Sequence, residues 1–160
     1  MTDRLHQVNV TYAGKEDRLL LRATTQEGAE YRIWLTRRFT VLLFNILNKA
    51  MEKHGGAPAI GSSEQTKQML KAGAFEKGFE EGKTTNYPLS ENGFLAFGIK
   101  TANTPEGNLY LEILPEKGPG VKLNLDKQLL YMLQNLLSQG VARADWQINT
   151  SLDNTSQQVH

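Results

Sequence analysis

Over residues 7–13 apolar and polar side chains alternate, with Val8, Val10 and Tyr12 on one side and Asn9 and Thr11 on the other. That is the period of a half-buried strand. After the polar turn AGKED, residues 18–25 repeat the pattern, with Leu19, Leu21 and Ala23 inward and Arg18, Leu20, Arg22 and Thr24 outward. Gly28 supplies a residue tolerant of positive φ for the next turn. Residues 30–35 then return with Tyr31, Ile33 and Leu35 inward and Glu30, Arg32 and Trp34 outward. The spacing predicts a three-stranded meander.

At residue 36 the period changes from two to that of a helix. Thr36 can accept a hydrogen bond from the free amides of a first turn, and Phe39, Leu43, Ile46 and Ala50 form one apolar stripe of a helix ending near Lys53. A second stripe, Val41, Phe44, Leu47 and Met51, leaves only a narrow polar edge. Such a helix is expected to be covered on more than one side, either by another helix of the chain or by a dimer partner.

This strand–turn–strand–helix unit occurs twice. A shift of 90 positions lays residues 19–47 on residues 109–137 without a gap, with seven identities: Leu19/Leu109, Leu21/Leu111, Gly28/Gly118, Leu35/Leu125, Leu43/Leu133, Asn45/Asn135 and Leu47/Leu137. Ile33 pairs with Leu123, Phe39 with Leu129, and the cap Thr36 with Asp126. The expectation is an α+β fold built from an internally duplicated strand-meander-plus-helix unit, with antiparallel sheets backed by two helices. Residues 1–150 are expected to form a single pseudo-duplicated domain: copy one at 7–53, an inserted linker and helix at 54–84, copy two at 85–150, and a frayed polar tail at 151–160.

Within the insertion, the Gly/Pro/Ser-rich stretch 54–63 reads as a linker. A weakly amphipathic helix follows from residue 63, anchored by Met69, Leu70, Phe75 and Phe79 and ended by residues 82–86. Copy two opens with extended pieces at 87–89 and 94–101. Its hairpin spans 109–114 and 121–125, and its helix spans 127–139 with Gly140 as the stop. Residues 146–149 are expected to add a last strand.

Composition narrows the function classes more than it selects one. The chain has 160 residues, 39% apolar and 22% charged, with a formal net charge of +1, a globular profile. Cysteine is absent, which excludes disulfides and Cys-ligated zinc. The N-terminal MTDRLHQVNV has no apolar core of a signal peptide, and no apolar run approaches the ~20 residues of a membrane helix. A cytoplasmic protein without membrane contact is the expectation.

Catalytic signals are poor. His6, His54 and His160 lack spaced partners for a metal site or a triad. The segment GAPAIGSS has no lysine where a phosphate-binding loop needs one, and GPG at 118–120 is a hairpin turn. The acidic pairs Glu16-Asp17 and Glu80-Glu81 sit where exposed charge is the ordinary outcome. No catalytic residue, metal or cofactor is expected, and the chain is read as a non-enzyme.

The one suggestive constellation is basic. Six of the seven arginines, Arg4, Arg18, Arg22, Arg32, Arg37 and Arg38, fall in the first 38 positions, behind a nearly neutral total charge. The outward face of copy one carries Arg18, Leu20, Arg22, Thr24, Arg32 and Trp34, whereas copy two has Asn108, Tyr110, Glu112, Leu114, Lys122 and Asn124 in the matching places. Arginines contact phosphates and an indole stacks on an unpaired base. Arg37 and Arg38 occupy a first helical turn, against the macrodipole, a placement that suits an external anion. Arg18, Arg22, Arg32, Trp34, Arg37 and Arg38 are therefore candidate contacts to single-stranded DNA or RNA. Val41, Phe44, Leu47 and Met51 are candidates for a homodimer or inter-helix contact. A protein-interaction or assembly module acting without nucleic acid is the alternative.

The stretch EDRLLLRATTQEGAEYRIWLTRRFTVLL resembles a family of short uncharacterised proteobacterial proteins, over roughly the first third of the chain. Two copies of a strand meander followed by a helix are similar in topology to the Whirly and PUR single-stranded nucleic-acid-binding folds. The resemblance implies two ββββα units in one domain, binding of single strands, and dimerisation through helices. Copy one here has three strands before its helix, and the expected strand at 146–149 is the candidate for the fourth.

Overall fold

The computed structural model describes residues 5–71 and 84–148. The expected helix anchors Phe75 and Phe79, the pair Glu80-Glu81, Arg4, His160 and the tail at 151–160 lie outside the described residues. The first strands are β1 (Leu5–Ala13), β2 (Arg18–Thr25) and β3 (Glu30–Leu35), an antiparallel meander followed by helix α1 (Arg37–Glu52). Short helices α2 (Ala57–Gly61) and α3 (Glu64–Lys71) come next. The second half contains β4 (Phe94–Leu95), β5 (Gly98–Asn103), β6 (Leu109–Leu114), β7 (Val121–Leu125) and helix α4 (Lys127–Ala144). The result is a mixed α+β fold with one four-stranded sheet, β1-β2-β3-β4, one three-stranded sheet, β5-β6-β7, and helices behind them.

Three local devices recur in both halves. In β2–β3, Leu19 faces Leu35 and Leu21 faces Ile33; in β6–β7, Leu109 faces Leu125 and Leu111 faces Leu123. The turn glycines Gly28 and Gly118 both have positive φ, 92° and 102°. Each hairpin then stops at an extended cap residue whose side chain accepts a first-turn amide: Thr36 from Phe39 and Asp126 from Leu129. The inward leucines join the apolar faces of α1 and α4 in one core.

Several expected boundaries move, each because of a tertiary contact. Gly140 does not stop the second helix. It lies buried within α4, and a Cβ there would sit 3.0 Å from Val10 and 3.1 Å from Leu19. Glycine therefore lets the helix approach the first sheet closely. The helix ends instead at Asp145, whose left-handed backbone (φ 56°) directs its amide to Val141 and Ala142. Gly140→Val is expected to cost about 2 kcal/mol through overpacking, whereas Ala142→Val on the exposed side costs only about half a kcal/mol of helix propensity. Urea denaturation of the two variants checks the difference.

The linker expected at 54–63 contains α2, started by Pro58 in its first turn and held by Ile60, which is buried. Residues 88–89 form a turn, with Tyr87 outside any strand, and residues 146–148 form none. Trp146 is instead a lock. Its ring meets Tyr12 edge-on at 6.2 Å, and its indole N–H and the Tyr12 hydroxyl both donate to Asp17, at 2.9 and 2.7 Å. Bonds from Trp146 and then Tyr12 hold the Asp17 carboxyl below its usual range.

The strand missing from the first meander comes from the other half of the chain. β4 lies parallel to β3, with Phe94 opposite Ile33 and Leu95 opposite Trp34. Two residues later the same segment enters the second sheet: Ala96 donates to Trp34 O at 2.9 Å and Phe97 to Leu114 O at 2.8 Å. The two sheets are thus joined by one continuous extended segment.

Candidate nucleic-acid interface

The outward side of the first sheet is built in cross-strand rows. Thr11, Leu20, Trp34 and Leu95 form one row across all four strands, and Asn9, Arg22 and Arg32 form the next. Register therefore does place Arg22 and Arg32 beside Trp34.

It also places both beside Glu30, which was expected to point to solvent and is only 1% exposed. Glu30 Oε2 accepts from Arg22 Nε at 3.1 Å and from Arg32 Nε at 2.6 Å, while Oε1 accepts from the Thr84 hydroxyl at 2.7 Å. Burial pushes this carboxyl's pKa up, but the bonds from Thr84, Arg22 and Arg32 outweigh it and hold the value below the ordinary one. The cluster keeps Glu30 charged and spends part of both arginines' positive charge inside the protein.

A segment over residues 84–93, leading into β4, runs along the side of β3 away from β2 and completes this arrangement. Thr85 N donates to Gly28 O and Glu30 N to Asn86 O. Arg32 Nη1 reaches Glu91 O at 3.0 Å, and its guanidinium stacks over the Tyr87 ring at 4.9 Å. The Trp34 indole N–H donates to Asn92 O at 3.0 Å, so the ring plane is fixed. Gly93, with φ 78°, passes so close that an added Cβ would lie 2.5 Å from Arg32 O.

The remaining candidates are dispersed. Arg18 is half-buried at the start of β2 and Arg38 is exposed in the first turn of α1; among the described residues neither has a hydrogen-bond or ion-pair partner. Arg37 donates from Nε to Trp146 O at 3.3 Å, away from the Arg22–Arg32 row. Of the second helical stripe, Phe44, Leu47 and Met51 are fully buried within the chain and Val41 half-buried. α1 packs on α4, α2 and β3, so a helix of the same chain covers the surplus apolar surface.

Four contributors escaped sequence reasoning. Glu30 read as an ordinary outward charge, although its i,i+2 spacing to Arg32 already put the two on one strand face. Tyr87 and Asn92 carried no signal, because their partners lie more than 50 positions away. Phe97 fell among the alternating apolar residues of the extended piece at 94–101 with nothing to mark its exposure, yet it is 67% exposed, with Leu95 near it at 41%.

Among the described residues no group of three His, Cys, Asp or Glu side chains could hold a metal ion, and no helix is long and apolar enough to cross a membrane. Comparison of the chain with protein-family models, with curated proteins and with solved structures gives no match in any of the three.

Proposed function

We propose that this chain is a non-catalytic module that binds single-stranded nucleic acid across the outward side of its first sheet. The observation that carries the reading is the row Thr11–Leu20–Trp34–Leu95 bordered by Arg18 on one side and by Arg22 and Arg32 on the other. An aromatic ring held in a rigid sheet accepts any base by its face, at about 1–3 kcal/mol per stacked base, and flanking arginines meet the phosphates. The shared hairpin register and caps support the finer reading of a duplicated ββα unit in a Whirly- or PUR-like topology.

A fluorescent 20-mer of thymidine titrated with the protein at low and moderate salt tests this. Binding at low salt is expected, with log K falling against log salt by about 0.7 for each phosphate contacted. Trp34→Leu is expected to weaken it roughly 10-fold, and Arg18→Gln to flatten the salt slope. Absence of any binding at low salt removes the proposal.

One observation favours a second reading, a protein-interaction surface. Glu30 offsets much of the arginine charge, and the adjoining exposed residues Leu95 and Phe97 are apolar. On that reading the oligonucleotide fails to bind, and light scattering shows self-association that Leu95→Ser abolishes.

A further inference from the structure

Phe97 sits where the segment from β4 to β5 changes sheets. Its amide bonds to Leu114 O, while Gly98 is the ladder partner of Leu114. Phe97 and Gly98 thus both meet Leu114 as the chain enters the second sheet. Ala96 is buried between the exposed Leu95 and Phe97, so the in–out alternation that begins in β4 carries the Phe97 ring outward where the chain leaves the first sheet. The result is the most exposed of the large apolar side chains described.

Gly98 adds an independent observation. Its φ is not positive, so no turn requires glycine, and a Cβ built on it would meet nothing within 4 Å, so packing does not require it either. An edge-strand residue free of both constraints is better served by a β-branched side chain. What glycine does provide is bare backbone beside the Phe97 ring.

The surroundings carry the charge of a nucleic-acid track. Along the outward sides of β2, β3, β5, β6 and β7 the cations are Arg18, Arg22, Arg32, Lys100 and Lys122, against the carboxylates Glu30 and Glu112. Lys100 and Lys122 both flank Glu112, so the excess of positive charge continues past Phe97 into the second sheet. Leu95 and Phe97 are two residues apart, about 7 Å along an extended chain, a step of the same order as that between successive nucleotides in an extended strand.

We propose that Phe97, with the open backbone of Gly98 beside it, is a stacking site for one unpaired base, and that a single strand runs from Trp34 over the sheet junction toward Lys100. This rests on the nucleic-acid reading above and adds a second ring, contributed by the other half of the chain.

The test uses the full chain, the same labelled thymidine 20-mer and a duplex of equal length, read by fluorescence anisotropy beside urea denaturation of each variant. Phe97→Ala and Phe97→Leu are each expected to weaken single-strand binding roughly 10-fold, because both remove the π-face. Phe97→Trp is expected to retain it. Gly98→Thr is expected to weaken binding while leaving the denaturation midpoint unchanged or higher, since it adds bulk beside the ring and a Cβ there meets nothing within 4 Å beyond its two chain neighbours. If the wild-type chain binds and all four variants bind equally, the Phe97 site is wrong and the Trp34 reading stands. If Phe97→Leu binds as wild type while Phe97→Ala does not, the contact is apolar and stacking is excluded. If the wild-type chain does not bind, both proposals fall, and loss of self-association in Phe97→Ala would assign the ring to a protein partner.

Discussion

Glu30→Gln is expected to destabilise the protein by about 3 kcal/mol at neutral pH, the lower end of the range for removing one member of a buried charge cluster. For a chain of this length that corresponds to a fall in Tm of about 6–12 °C. The carboxylate is 1% exposed and receives Arg22, Arg32 and Thr84 together. Glutamine keeps the shape and one carbonyl acceptor but removes the negative charge that the Arg22 and Arg32 guanidinium groups both face. Because the folded pKa of Glu30 is depressed, its ionic contribution is fully present above the unfolded value near 4.5 and is lost as pH falls through the folded value. The gap between wild type and Glu30→Gln should therefore be widest at pH 7 and close progressively below about pH 4.5. Urea titrations across that range measure it, and a gap independent of pH would show that the bond geometry, not the charge, is what matters. The same variant removes the Glu30 charge from beside Arg22 and Arg32. On the nucleic-acid reading, oligonucleotide affinity per folded molecule should then rise while stability falls.

Phe44→Ala is expected to cost about 3–5 kcal/mol, as a large fully buried side chain leaves a cavity in a close-packed core. Phe44 is 1% exposed and lies in the same core cluster as Leu43, Leu47 and Leu133. Its loss should lower the denaturation midpoint without changing the molecular mass in solution. A dimer held together by this stripe would instead dissociate, with a midpoint that depends on protein concentration. Sedimentation or light scattering of the wild type and the variant separates the two outcomes. The exposed Leu42, 44% accessible, is the control: Leu42→Ala should cost only a few tenths of a kcal/mol.

How much was legible in advance depended on the range of the interactions involved. The hairpins could be read because alternation, a turn glycine and a cap are each set within a few residues. Gly28 and Gly118 do adopt positive φ, and Thr36 and Asp126 do cap their helices. Gly140 was misread by the same local logic. A glycine after an apolar helical run ordinarily ends the helix, but here it is the point of closest approach to Val10 and Leu19, which lie more than 100 positions away. Trp146 likewise resembled the start of a strand, and its real partners, Tyr12 and Asp17, could not be seen from its neighbours.

The candidate site divides along the same line. The period of two placed Arg32 and Trp34 on one face of their strand and Arg22 on the outward face of the strand before it, while only the strand register sets the three side by side. Sequence could not say that Glu30 would be buried beneath them, that residues 84–93 would fasten Arg32 and Trp34, or that Phe97 would face outward at the crossing between the sheets. Those outcomes depend on which strands pair, in which register, and on where the chain crosses from one sheet to the other. Local sequence determined the elements, their inward faces and their ends, since backbone torsions and hydrophobic period are decided within a turn or a strand. Tertiary structure alone decided which charges are spent inside the protein and which rings face water, because burial and ion pairing belong to surfaces brought together from distant parts of the chain.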